Sequence, residues 1–369
     1  MVAQKVARYR RTTRRRGSAL IVVAAVLLVA CAIASYAINV VYMEYTRAEL
    51  QISTDLATRA ACHALVDTGK RSEAYLAAQR LSVANKVAGQ VVDIDIGDLE
   101  FTAAQRFSAA EQYIYTRDQQ PNAVHFRAGY FERTAKSIPM LFPSFGVPTY
   151  FRPLKEASAS QADLDIAIVL DCSESMLAPL DKATSGEGLL RLPIMVPITA
   201  RWRTAESGIA AMLNEFRESA LQERVALTTF NSVSLLNVPL TESYLQIEAA
   251  TAVHGQAYLG GLTSLSDGIQ SAIIQLSNAR SARPWASRVI LLLSDGKENF
   301  GLDAIGAAQA AAKAQMMLYA IGISNEADME RLNRLTQVGH GKAYFANSAT
   351  QIRAIVQDIA KRLPVLLTR

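Results

Sequence analysis

Cysteine and histidine are both scarce in this chain, and neither is spaced as a ligand set. Cys31, Cys62 and Cys172 stand far apart, which excludes a CxxC-type zinc site and a disulfide framework. His63, His125, His254 and His340 form no pair, so a catalytic metal centre of the histidine-rich kind has no ligands. No Gly-x-x-x-x-Gly-Lys-Ser/Thr loop occurs, which removes phosphate-cradling nucleotide hydrolysis, and no nucleophile–histidine pair announces covalent catalysis. Charged residues amount to only 19% against 50% hydrophobic, which excludes a largely disordered chain. The net charge of +5 is also less than it looks: Lys5, Arg8, Arg10, Arg11, Arg14, Arg15 and Arg16 precede any acid, so the remainder carries 5 − 7 = −2. A near-neutral body excludes a nucleic-acid surface.

What is present begins with that basic tail, residues 1–16, and an uncharged run from Gly17 to Met43 that Glu44 ends. As a helix these residues reach about 40 Å, enough to cross a bilayer core with some tilt. The positive charges ahead of the span place the tail in the cytoplasm and everything after residue 44 outside the membrane. Two rival readings exist: a signal cleaved after Ala32-Ile33-Ala34, and a lipoprotein processing box at Leu28-Val29-Ala30-Cys31 that would lipidate Cys31. Apolar residues continue to Met43, which favours the uncut anchor.

Beyond the span, Tyr45 to Arg80 has helix-forming composition with an apolar stripe at Leu50, Leu56, Ala60 and Leu65. Gln90 to Ile96 alternates apolar and acidic residues, the pattern of a half-buried strand. Further short strands are expected at Ala123–Ala128 and within Phe142–Phe151, giving a small β-rich module over residues 44–155 with the preceding helix. The Ala/Ser-rich residues 156–162 read as a linker. From 163 to 369 apolar strands (164–171, 224–230, 288–294, 317–323, 342–345) alternate with helices (205–219, 265–278, 303–315, 326–337, 350–362). That alternation predicts an α/β fold with a doubly wound parallel sheet. Residues 177–200 interrupt its first strand-to-helix connection, a long insertion suited to function.

Asp171-Cys172-Ser173-Glu174-Ser175 follows the first of these strands, and Asp295 follows another. In an open parallel sheet both carboxylates then face the rim where ligands collect. Ser173 and Ser175 are spaced to converge on one point, and Thr263, in Gly260-Gly261-Leu262-Thr263-Ser264, precedes a helix. Asp171, Ser173, Ser175, Thr263 and Asp295 are hard oxygen donors, suited to Mg²⁺, or to Mn²⁺ or Ca²⁺, rather than zinc. If hydroxyls are the direct ligands, the ion keeps much of its charge and a coordination position open for a partner's Glu or Asp. Cys172 and the tryptophans Trp202 and Trp285 read as packing residues, and Asp93, Asp95, Asp98 and Glu100 as a solvated strand face. Asp267 and Glu298 stand close enough in sequence to tune the site.

These residues resemble the von Willebrand factor type A domain with its metal-ion-dependent adhesion site. The motif Asp-x-Ser-x-Ser, a Thr, then an Asp after a hydrophobic strand is met at all five positions. The stretches 260–269 and 289–296 look like the blocks that family carries around those ligands. The resemblance spans about 163–362 and implies a central parallel sheet with flanking helices and cation-dependent protein binding. The long 177–200 insertion departs from the short link usual there. Arg16-Gly17-Ser18-Ala19-Leu20 entering the span, Leu50 to Ala57, Ala84 to Gly89 and Pro121 to Val124 are similar to tight-adherence (Tad) pilus-assembly proteins of bacteria. Prepilin-like members of that group have Glu five residues after the processed Gly, where Val22 stands here. The resemblances together imply a non-enzymatic, membrane-anchored envelope protein that binds an acidic protein partner through a metal, in adhesion or surface assembly. A structural scaffold whose metal only stabilises the domain is the alternative.

Overall fold

The computed structural model describes residues 16–117, 121–130, 137–142, 149–181, 193–219, 223–278, 280–362 and 365–368. Residues 1–15 of the basic tail and 182–192 of the insertion lie outside them, as do 143–148 of the Phe142–Phe151 segment. The chain forms two compact units: Met1–Ala57 with Ala78–Asp98 and Phe126–Ala157, and Thr58–Ala77 with Leu99–His125 and Ser158–Arg369.

The span and the helix expected after it are one element, α1 (Arg16–Thr68), 53 residues long. No Pro or Gly interrupts residues 18–68, so nothing in the sequence ends the helix at the charged boundary. It stops where Gly69 turns to φ +67°, its N–H still bonded to the Leu65 carbonyl at 2.7 Å. A second helix, α2 (Arg71–Ala84), follows. The run without burial ends sooner than the sequence suggests. Asn39 is buried, its amide nitrogen donating to the Phe142 carbonyl (2.9 Å) and its oxygen accepting from the Phe142 N–H (3.1 Å). Residues 19–38 include no buried residue, about 30 Å of helix.

In the same unit, Glu49 accepts from the Ala88 N–H and Ser53 donates to the Asn85 carbonyl. Residues 90–96, expected as a strand, do not join a ladder. Val92 and Ile94 are buried by their alternation, but Ser82 Oγ donates to the Val92 carbonyl (2.5 Å) where a neighbouring strand would have bonded. Alternation reports one-sided burial, and here a helix side chain, not a sheet, provides it. Asp98 is buried rather than solvated, and its carboxylate accepts from the Asp95 N–H.

The ladder strands of this region are β1 (Leu99–Gln105), β2 (Ile114–Thr116) and β3 (Ala123–Gly129), with a minor hairpin of β4 (Ile138–Pro139) and β5 (Tyr150–Phe151). The expected linker 156–162 is a correction: it lies in β6 (Leu154–Gln161) and its edge, with Ala157, Ser158, Ala159 and Ser160 all buried. Small side chains read as flexible in sequence, yet they are what a closely covered strand accommodates. A five-stranded sheet runs β13-β6-β3-β1-β2, where β13 (Val365–Leu367) returns from the C-terminal end to pair antiparallel with β6, Leu366 opposite Ser160.

The C-terminal α/β region holds β7 (Leu164–Asp171), α3 (Arg201–Glu218), β8 (Arg224–Phe230), β9 (Ser234–Thr241), α4 (Tyr244–Gln256), α5 (Leu265–Leu276), β10 (Ser287–Ser294), α6 (Ala304–Lys313), β11 (Met317–Ile323), α7 (Met329–Val338), β12 (Ala343–Ala346) and α8 (Ala349–Lys361). Its six-stranded sheet runs β12-β11-β10-β7-β8-β9, parallel except for β9. The antiparallel edge strand and α4 were not legible, because β9 exposes Leu235 and Leu236 and carries Pro239, features of an edge rather than a buried run. Alternate residues of β7 serve the two faces. Ile166, Ile168 and Leu170 pack with Ile209 of α3 and Ile352 of α8, while Ala167 and Val169 pack with Ile269 of α5 and Leu332 of α7. Gly268 lets α5 approach closely, since a Cβ there would stand 2.8 Å from Phe230 and Val169.

The sheet's lower edge carries a buried ionic cluster. Arg283 Nε donates to Asp165 (2.9 Å), its backbone N–H to the same carboxylate (2.7 Å), and Trp285 Nε1 to Asp163 (2.6 Å). Nearby Glu223 is 3% exposed, and burial pushes its carboxyl up to about 7. A carboxyl raised on folding penalises the fold only when ionised, so the penalty is absent below the ordinary range near 4.5 and complete above 7. Glu223→Gln is therefore expected to stabilise the protein by about 2 kcal/mol at pH 8 and by little at pH 4.5, read from urea unfolding at the two pH values.

Candidate metal centre

Asp171 ends β7, and Ser294 ends the adjacent parallel strand β10, Leu293 standing opposite Leu170. This register puts Asp171 and Asp295 on one rim. The Asp171 carboxylate accepts from the Ser294 hydroxyl (2.5 Å) through one oxygen and from the Ser173 N–H (2.8 Å) through the other. The second bond closes an Asx turn that bends the chain off the strand. A short 3-10 turn, Glu174–Leu177, follows, and Ser173 Oγ lies 3.0 Å from Ser175 Oγ.

The loop carrying Thr263 is fastened beside this turn. The Glu174 N–H donates to the Gly261 carbonyl (3.0 Å), and Tyr258, at the loop's start, donates its hydroxyl to the Ser173 carbonyl (2.8 Å). Gly260 (φ +66°) and Gly261 (φ +126°) make the bend with backbone angles that glycine adopts without strain. Asn299 then clamps Thr263 to the loop that follows Asp295: its side chain accepts from the Thr263 N–H (2.8 Å), and its own N–H donates to the Thr263 carbonyl (3.2 Å). Thr263 is buried.

Asp295 has a partner that its sequence position does not announce. Arg201, the first residue of α3, donates from Nη1 to Asp295 Oδ2 at 2.8 Å, and both side chains are 0% exposed. The other carboxylate oxygen faces the Lys297 N–H at 3.3 Å. Burial, and then the neighbouring Asp295 charge, raise the Asp171 carboxyl above the usual carboxylate range. Burial also holds the Tyr258 and Cys172 protons on. Two carboxylates enclosed this closely call for a cation.

The structure thus gathers Asp171, Ser173 and Ser175 directly, and ties Thr263 and Asp295 to them through Gly261, Asn299 and the rim. Sequence reasoning missed Arg201, Ser294, Tyr258 and Asn299. Ser294 adjoins Asp295 and was within reach, whereas nothing in the spacing points to Arg201 across the insertion. Cys172 is packed and buried, and Trp202 is wholly buried against Tyr258. Asp267 accepts from Ser264 at the start of α5, and Glu298 pairs with Arg331. Neither bonds a residue of the site.

The donor chemistry accommodates a divalent ion. Among the described residues no three His, Cys, Asp or Glu side chains gather as a ligand set, so hydroxyls must share the coordination. Two oxygens on the cis edge of an octahedron with bonds near 2.1 Å are roughly 3.0 Å apart, the Ser173–Ser175 separation.

A covered parallel sheet, an Asp-x-Ser-x-Ser turn at its rim and a Thr and an Asp clamped beside it define one class of domain. The profile of the von Willebrand factor type A domain matches residues 165–358, more than half of the chain, and the chain belongs to that family. No curated protein matches it in sequence. Among solved structures it is similar to an aerotolerance-related membrane protein from Bacteroides fragilis (14% identity, TM-score 0.44, covering 54% of this chain and 100% of that one). It is similar also to the conserved hypothetical protein BatB from Bacteroides thetaiotaomicron (18%, TM-score 0.42, 54% and 98%). A third similar structure is proximal thread matrix protein 1 of the mussel byssus, whose metal-ion-dependent adhesion motif is occupied by zinc (16%, TM-score 0.41, 56% and 48%).

Proposed function

We propose that this chain is a membrane-anchored envelope protein that captures an acidic protein partner through Mg²⁺ held by Asp171, Ser173, Ser175, Thr263 and Asp295. The observation that carries this reading is the hydroxyl pair Ser173–Ser175, spaced at 3.0 Å beside two enclosed carboxylates. Neutral hydroxyls as direct ligands leave the ion its charge, and the bonds from Ser173, Ser294, Arg201 and Lys297 hold the two aspartates in place around it. Calcium bonds of about 2.4 Å would want a wider edge, which favours Mg²⁺ or Mn²⁺. The proposed role is binding, not catalysis.

Residues 19–38 of α1 form a helix long and apolar enough to cross a membrane. The basic tail ahead of it favours a cytoplasmic N-terminus and an extracytoplasmic metal site. The tight-adherence-like stretches along α1 and after α2 suggest surface-appendage assembly as the setting.

Capture of partners from an envelope extract tests this reading. Capture in Mg²⁺ that is lost in EDTA, with the circular dichroism spectrum unchanged, is the expected result. Equal capture in both would sink the metal bridge, and unfolding in EDTA would favour the scaffold alternative.

A further inference from the structure

Arg201 stands where neither helix nor core calls for it. A positive charge in the first turn of a helix opposes the helix dipole, and α3 begins without a side-chain cap. A guanidinium taken wholly out of water is costly unless a charge compensates it. Here Asp295 does so, and the Arg201 backbone N–H is pinned to the Ala178 carbonyl (2.9 Å), directly after the turn that carries Ser175. The arginine is therefore fixed to the site from both its side chain and its backbone.

We propose that Arg201 is a built-in cation of the metal site, which loosens the divalent ion and tightens the anionic partner. This rests on the metal-bridge reading above. Among the described residues, the fully buried charges of the site are Asp171, Asp295 and Arg201, each 0% exposed. Together they carry one negative charge, and a divalent ion turns that into one positive charge. A single carboxylate from a partner then neutralises the whole. Were residue 201 uncharged, the ion alone would neutralise the two aspartates, and the partner's carboxylate would enter as an uncompensated buried charge. Arg201 gives up affinity for the ion, because like charges repel in a water-poor site. In return it makes a carboxylate the ligand that completes the site. Arg201 acts through Asp295, as a positioning residue whose charge is the point.

Calorimetric titration of the full-length protein in detergent micelles with MgCl₂ tests this, comparing wild type, Arg201→Met and Arg201→Lys. The expected result is Mg²⁺ affinity raised about tenfold or more in Arg201→Met, and near wild type in Arg201→Lys, which keeps the charge. The melting temperature supplies a second readout. Arg201→Met should melt lower than wild type in EDTA and show the larger upward shift with Mg²⁺, so an ion that rescues a poorly folded variant also supports the proposal. Mg²⁺ binding only by Arg201→Met would show that Arg201 takes the place of the ion in the wild type, and would overturn both the proposal and the metal bridge. Wild-type binding with no gain in Arg201→Met overturns the role of Arg201 and leaves the metal bridge standing. No Mg²⁺ binding by any of the three overturns both.

Discussion

Asp171→Asn is expected to abolish Mg²⁺ binding while leaving the metal-free protein at least as stable as wild type. Asparagine keeps the shape of the side chain and can still accept from the Ser173 N–H, so the Asx turn persists. What it loses is a unit of charge in an enclosed site. At an effective dielectric near 20, a unit charge about 4 Å away is worth about 4 kcal/mol, and a divalent ion doubles the effect. A loss of at least about a hundredfold in affinity follows, since each 1.4 kcal/mol is a factor of ten. The fold moves the other way. Asp171 is raised by burial and by Asp295, so its ionised form already works against the native state, and removing that charge relieves it. Calorimetry with MgCl₂ and thermal melts in EDTA read the two effects separately. Retained affinity would remove Asp171 from the ligand set, and a collapsed melting temperature would make its role structural.

Arg283→Met should cost about 3–5 kcal/mol, the penalty for leaving a buried ion-pair partner uncompensated. Arg283 is 4% exposed and binds the wholly buried Asp165 through its side chain and its backbone, while a further guanidinium nitrogen donates to the Leu164 carbonyl. All of this lies at the start of β7, at the end of the strand remote from Asp171. Denaturant unfolding followed by tryptophan fluorescence is a suitable measurement, because both tryptophans, Trp202 and Trp285, belong to the C-terminal unit. Adding Asp165→Leu should recover much of the loss, since the buried carboxylate is then gone. A single-variant cost below about 1 kcal/mol would show that water reaches the cluster.

The apolar strands of the type A fold were legible because central parallel strands are buried on both faces and need no period. β8 and β11 fall where the runs Arg224–Phe230 and Met317–Ile323 predict them. The weaker signals failed for physical reasons. Ala157 to Ser160 look like a linker in composition, yet small side chains are what a covered strand of the second sheet requires. Val92 and Ile94 alternate as a strand does, but a serine of α2 takes the Val92 carbonyl. At the site, Asp171 ends a strand, Ser173, Ser175 and Asp295 follow strand ends and Thr263 stands just before α5, so sequence position announces each of them. Arg201 reaches Asp295 across 94 positions and is invisible to any local pattern.

The placement of Asp171 also has a mechanical meaning. It ends a strand flanked on both sides by parallel neighbours, β10 and β8, as the interior strands β10 and β11 are too. The covalent path from it runs down the axis of β7 and directly into β6. The share of a pull that enters through Asp295, after β10, would reach β7 only by loading the β7–β10 ladder in shear, so that its hydrogen bonds would have to fail together rather than one by one. A hairpin edge such as β9 would peel under the same tension. If the chain binds as proposed, its site stands at the end of an interior strand rather than at an edge that peels.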